Sequence, residues 1–408
     1  MRFPRGAAGP YAPSHPPMKF PSRYVRLEAA RRRHGDRVDR FGAFLTVGDA
    51  AADAALDALA DRPRPEREAL FDRCLTSGIG SVPDAPDAVR ALFASLDHVP
   101  YWVDHGRLDR GGRAFLESGV LGGIVLGAGS LVAGYCSPAG NKPLVFSGRL
   151  ASDVPRRLAE TSRFVEVVSA AGGMRRDAEG FRACVKVRLM HASIRRALLR
   201  SPKWRLDDWG VPINQCDSCG TLLLFSHIVH GWLARLGHVM TTQERDDFLH
   251  LWRYAGYVLG VEEELLCATH EEAAAQWDLL STTQNPPDDD ARSLARALIE
   301  SGRLAARTSE QEDAARKRIP FAYALSRYLI GDAYADALGY PKSRWGYAFP
   351  VARELHAAGL GRLRTLGPAG NLAFEFGRRH WSQVTRAALK GVPAAFSMPE
   401  DFVHPHAP

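Results

Sequence analysis

The chain has 408 residues, of which 46% are hydrophobic and 24% charged, so a large buried core is available and an intrinsically disordered polymer is excluded. Fifty-three Lys and Arg against 46 Asp and Glu give a net charge of +7. The arginines are spread over ARRRHGD, VPRRLAE, SIRRALLR and FGRRHWS rather than gathered into one stripe, so the sequence predicts a solvated basic surface and no nucleic-acid partner.

The N-terminal stretch MRFPRGAAGPYAPSHPPMKFPSRY is rich in Pro and Gly, and residues 1–22 are expected to form a flexible arm ahead of a single domain over 23–408. It lacks the apolar core of a Sec signal. The arginine run at Ala30–Asp36 has no hydrophobic stretch behind it, as a twin-arginine signal requires, and a cytoplasmic location is the expectation.

Helical periodicity then recurs along the chain. It predicts helices over Asp49–Ala60, from Pro63 onward, over Asp87–Leu96, and over the glycine-rich, uncharged run Ser118–Cys136. That run is near the lower length limit of a membrane span. Its glycines suit close packing in a buried core helix, and no stable membrane span is expected.

Further helices are predicted over Val154–Ala170, Glu179–Leu199, Gly220–Leu236, Thr242–Leu259, Asp290–Ser301, Ile319–Ala337 and Phe349–Ala358. There is no run of alternating strands and no repeat. The fold class is all-α, with Thr283–Ser293 the one polar loop that could mark a boundary.

Three constellations stand out. In Val185–Arg196, VKVRLMHASIRR, helical spacing places Arg188, His191 and Arg195 along one side of a helix whose other members are apolar. A buried cation needs an anion. From the residues alone two readings stay open: an imidazole and two cations facing an anionic cofactor, or a hydrogen-bonded core histidine with arginines paired to carboxylates elsewhere. In Asp153–Gly173, Arg157, Glu160 and Thr161 share a stripe with Phe164, Val165 and Val168, which is either a pocket lining or a surface Arg157–Glu160 pair. Cys216 and Cys219 have C-x-x-C spacing but no second pair to complete a zinc site, and reduced structural thiols are the expectation. His227 and His230, three apart, lack the acidic partner of a metalloprotease motif, and a metal pair is not predicted there.

Taken together, RRLAET (Arg156–Thr161), FRACVKVRLMHASIRR (Phe181–Arg196), DDWGVPINQ (Asp207–Gln215), LWRYAGYVLGVEEELL (Leu251–Leu266) and SRYLIGDAYADALGYP (Ser326–Pro341) resemble the oxygenase family that includes latex-clearing rubber oxygenases and a fungal mycophenolic-acid pathway oxygenase. The resemblance spans roughly residues 110–345. It implies a globin-like helical core around non-covalent haem b, dioxygen as co-substrate, and His191 as the proximal iron ligand. It implies a distal group at spacing R-x-x-K-T, which falls here on Arg157, Glu160 and Thr161; Glu160 replaces the family's lysine. Arg188 and Arg195 are then expected to hold the haem propionates. The function so implied is a haem-dependent oxygenase acting on a small apolar, alkene-containing or isoprenoid substrate, with C=C cleavage as one outcome. A biosynthetic haem hydroxylase or dehydrogenase, or a non-catalytic haem sensor, are the alternatives. The electron donor is left open.

Overall fold

The computed structural model describes residues 19–146, 154–359, 367–389 and 394. Among them every regular element is a helix and no strand occurs, so the all-α expectation holds. Most of the arm predicted over residues 1–22 lies outside the described residues. Its last part is docked: Pro21 is buried, Phe20 meets the Tyr24 ring edge-on, and Ser22 N donates to Asp207 O at 2.8 Å.

Several helix boundaries fall where local chemistry puts them. Asp49 caps Ala50–Asp57 by accepting from Ala52 N, Thr241 and Glu244 form a capping box on Thr242–Val258, and Asp288 caps Asp289–Ile299. Glu179–Leu199 runs unbroken for 21 residues as predicted. Two predicted helices are each split: Gln215–Phe225 from His227–Arg235 at Ser226, and Ser309–Ile330 from Asp332–Ala337 at Gly331, whose φ of 89° only glycine adopts freely. The polar segment Thr283–Ser293 is tied to the helices before it. Lys142 reaches into it to bind both Asp288 (2.9 Å) and Asp290 (2.5 Å), and Ser137 donates to Gln284.

The glycine-rich run is helical from Val120 to Tyr135, with a π-helical stretch Val125–Ser130 between Val120–Ile124 and Leu131–Tyr135. Gly122 and Gly129 are there for close approach. A Cβ on Gly129 would stand 2.7 Å from the Trp232 ring, and one on Gly122 would strike Ser118 Oγ. Val125, Ser130 and Val132 are fully buried. Among the described residues, no single helix is long and apolar enough to cross a membrane; only this segment taken with His105–Leu116, at a bend of 86°, has the length and composition.

The main core gathers side chains from both halves of the chain. Phe93, Phe115, Phe181, Phe248, Trp252 and Tyr254 are its largest fully buried members. Helix His105–Leu116 lies close along Thr242–Val258, because Gly111 lets its backbone sit against the carbonyl of Asp247. The resulting platform carries a helical hairpin, Val154–Ser169 and Glu179–Leu199, on which the candidate site lies.

Candidate active site

The hairpin is tight at its closed end. Gly173 and Gly180 both press on the carbonyl of Val167, where any Cβ would clash. Equal steps along the two helices from that contact bring His191 level with residues 156–157. At this far end Arg157, Glu160, Thr161 and His191 are all only partly covered. The two sequence constellations thus lie on helices that pack against one another.

The His191 imidazole makes no hydrogen bond among the described residues. Burial, helped by the nearby Arg195 cation and opposed by Asp49, pushes its pKa down to about 4, so the ring is neutral at pH 7. Some of its surface still faces open space, although surrounding protein desolvates it. A neutral imidazole with a free nitrogen and room beside it is a ready ligand for a metal centre.

Across the hairpin, Arg157 forms no hydrogen bond or ion pair among the described residues, and Thr161 makes no side-chain hydrogen bond. Glu160 is engaged by Arg156, not Arg157: Arg156 Nε donates to its Oε1 at 2.8 Å, an i,i+4 pair. The suggested Arg157–Glu160 pair is thus corrected. Adjacent side chains on a helix point about 100° apart, so Arg156 turns Glu160 sideways and leaves Arg157 uncommitted.

Arg188 and Arg195 are also corrected as propionate partners, because both are already paired with protein carboxylates. Arg188 grips Asp49 through two bonds, Nε to Oδ2 at 2.6 Å and Nη2 to Oδ1 at 2.9 Å, with side chains only 9% and 11% exposed. Arg195 holds Asp53 at 2.8 Å and donates to Ile213 O, and Arg196 reaches Asp57 at 2.5 Å. Three carboxylates spaced by four on one helix thus meet cations on the His191 helix. Such bidentate pairs fix direction as well as distance. They lock the axial and rotational register of the helix that carries His191.

A second layer braces these pairs. Gln215 donates to Gly48 O and to Gly260 O, both at 2.9 Å, and accepts from Glu262 N at 3.0 Å. Gly48 abuts the Arg195 side chain, while Gly260, at φ +82°, leaves room for Asp49 and Arg188 together. Asn214 caps the helix of Gln215, and Asp217 there takes a bidentate bond from buried Arg23. Asp49, Asp53, Gln215 and Gly260 were not singled out from the sequence as site residues. The signal was present for the carboxylates: GDAAADAALDALAD repeats Asp at every fourth position from Asp49 to Asp61, an acidic stripe on an otherwise small, apolar helix.

The six cysteines are all free and buried. Cys216 Sγ donates to Phe41 O at 3.0 Å, and Cys219 lies against Gln276; burial raises both thiols, which makes them inert structural groups.

Residues 117–361 match the family model described as "ER-bound oxygenase mpaB/B'/Rubber oxygenase, catalytic domain". The chain belongs to this oxygenase family. It is 27% identical over 305 residues to the rubber oxygenase of Streptomyces sp. (strain K30), covering 72% of this chain and 71% of that protein. Its fold is similar to that of latex clearing protein LCP in the closed state, with a TM-score of 0.63 at 23% identity, over 83% of this chain and 91% of the other. The chain thus carries an oxygenase catalytic domain, and the matched segment contains Arg157, Glu160, Thr161, Arg188, His191 and Arg195.

Proposed function

We propose that this oxygenase binds haem b through His191 and oxidises a small apolar, alkene-containing substrate of the isoprenoid class. The observation that carries the reading is a neutral imidazole on one helix of the hairpin and an arginine on the other, neither with a hydrogen-bond partner among the described residues. The donor set suits the group, since a neutral imidazole is a usual axial ligand of haem iron. When bound, haem would supply the activation of dioxygen, which no protein side chain performs.

The residues of the chain hold and tune. His191 stays neutral because burial, with the Arg195 cation adding to it and Asp49 opposing, holds its pKa at about 4, so no proton competes for its free nitrogen. Arg157, a permanent cation, and the Thr161 hydroxyl supply hydrogen-bond donors on the facing helix. Glu160, turned aside by Arg156 at Oε1, keeps Oε2 without a hydrogen bond and can accept a proton there. The relative named as a rubber oxygenase supports an alkene substrate and cleavage of its double bond. The lysine-to-glutamate departure at Glu160 supports a centre left open to water or substrate. A dehydrogenating or sensing role gives different products.

The test is a haem titration followed by product analysis. Wild-type protein is expected to develop a Soret band with one haem per chain, and His191→Ala to lose it or to show an altered ligand signature. Incubation of the holoprotein with short isoprenoid alkenes under isotopically labelled dioxygen is expected to place label in carbonyl products. A wild type without a Soret band sinks the haem reading, and unlabelled or absent products sink the oxygenation of this substrate class.

A further inference from the structure

Three histidines outside the hairpin come together without any role in the chemistry above. His227 opens helix His227–Arg235, His230 sits one turn further on, and His270 opens helix His270–Thr282. One ring nitrogen or its partner on each lies within 4.8 Å of the others. His227 Nδ1 and His270 Nδ1 are 3.2 Å apart, and the His230 and His270 rings are perpendicular at 4.6 Å between centroids. We propose that His227, His230 and His270 form a binding site for one divalent transition-metal ion of the zinc class, separate from the haem centre and independent of that reading.

The distances suit such an ion. Zinc bound by imidazoles at about 2.0–2.1 Å in a tetrahedron holds its nitrogens about 3.3 Å apart, close to the 3.2 Å already found between two of the three. Small ring rotations close the rest. The Nε2 atom of His230 is buried without a hydrogen-bond partner among the described residues, and a buried polar atom left so is costly unless something satisfies it. Two helix N-termini meet here and their dipoles oppose a cation, but that opposition is small beside three coordinate bonds. The Asp246 carboxylate, 3.8 Å from His270 Nε2 on the far side of the ring from Nδ1, is placed to orient the His270 imidazole, which leaves the fourth position to water.

Imidazole donors without thiolate suit Zn, Cu, Ni or Co rather than Mg or Ca. The site would tie the start of His227–Arg235 to the start of His270–Thr282. These segments are distant in sequence, which makes the ion a cross-brace of the core.

The test uses the full chain, stripped with a chelator and titrated with Co2+ and then Zn2+. One Co2+ per chain is expected, with the strong visible d–d bands of a four-coordinate ion, bleached stoichiometrically by Zn2+. A rise in thermal midpoint with added Zn2+ is expected too. His230→Ala and His270→Asn should abolish the bands while circular dichroism shows the helices intact. A folded wild type that takes up no Co2+ overturns the site, and so does uptake unchanged in both variants. X-ray absorption on the Zn2+-loaded wild type decides even where a variant does not fold: a three-nitrogen imidazole shell supports the site, and a sulfur or all-oxygen shell overturns it. Haem loading is followed separately at the Soret band, so failure of one reading leaves the other measurable.

Discussion

The Asp49–Arg188 pair gives the sharpest check on how the His191 helix is held. Asp49→Asn removes one charge while the new amide oxygen can still accept from Ala52 N, so the helix cap survives and the ion pair alone is lost. Arg188 cannot shed its proton. With its side chain only 9% exposed, it would be left as a buried cation without a counterion. Breaking one partner of a buried pair costs about 3–5 kcal/mol. The control lies on the same two helices: Asp57 pairs with Arg196 but is 66% exposed, and its loss should cost about 0.5 kcal/mol or less, as for surface pairs. The assay is equilibrium urea denaturation of both variants, with haem retention measured in parallel. Asp49→Asn is expected to lose several times more stability than Asp57→Asn and to bind haem more weakly. The double variant Asp49→Asn with Arg188→Met should recover part of the loss, because removing both charges ends the desolvation penalty. Equal, small losses in Asp49→Asn and Asp57→Asn would refute the claim that the buried pair sets the position of His191.

Other consequences follow from the same geometry. Gly260→Ala puts a Cβ at φ +82° against Asp49 Oδ2 and Arg188 Nε, so it should destabilise by about 2 kcal/mol or more and weaken haem retention, seen in melting curves and Soret occupancy. Gln215→Leu strands two carbonyls and one N–H, and at about 1–3 kcal/mol for each buried unsatisfied group it should be at least as damaging; a melting curve matching wild type would contradict the brace. His250 accepts from Asp104 N at 3.1 Å through Nε2, and burial with Arg107 and Arg253 nearby holds its pKa at about 4, below the ordinary value of about 6.5. The folded state thus binds this proton less readily than the unfolded state, so its share of stability is full above pH 6.5 and is lost as pH falls towards 4. Melting curves between those values should flatten in His250→Gln relative to wild type. Arg156→Gln releases Glu160 to pair with Arg157; if haem-bound spectra and turnover are unchanged, neither side chain lies beside the reacting centre.

The helices were legible where periodicity and capping agreed. Glu179–Leu199 could be read to the residue because its apolar spacing never lapses, and the start of Thr242–Val258 agrees with the capping chemistry of Thr241 and Glu244, while its end falls one residue short of the expected Leu259. The splits at Ser226 and Gly331 were not, since the apolar pattern runs through both and only tertiary packing breaks the helix there. The same limit applies to the site. Local spacing showed that Arg188, His191 and Arg195 share a side, but it could not say what that side meets. The answer lay about 140 positions away at Asp49 and Asp53, where spacing by four is visible but pairing is not. Similarly, His227 and His230 were visible as neighbours, while His270, 40 residues further on, becomes their partner only when two helix starts converge.

This arrangement explains how a histidine can sit between two arginines and remain a useful ligand. The imidazole is kept neutral chiefly by burial, with Arg195 adding to it, yet uncompensated guanidinium groups would destabilise the helix that carries it. Asp49 and Asp53 remove that cost: they offset the cations and turn them into fixed struts. Asp49 also raises the pKa of His191 slightly against the effects of burial and Arg195, so the net shift stays downward. The struts all point to the helix Ala50–Asp57 and the Gln215 brace, away from the hairpin partner. On the helix packed against that of His191, Arg157 has no partner among the described residues. Support on one side and unpaired polar groups on the other is the division expected of a positioned catalytic site. Arg188 and Arg195 therefore belong to the support of the helix that carries His191.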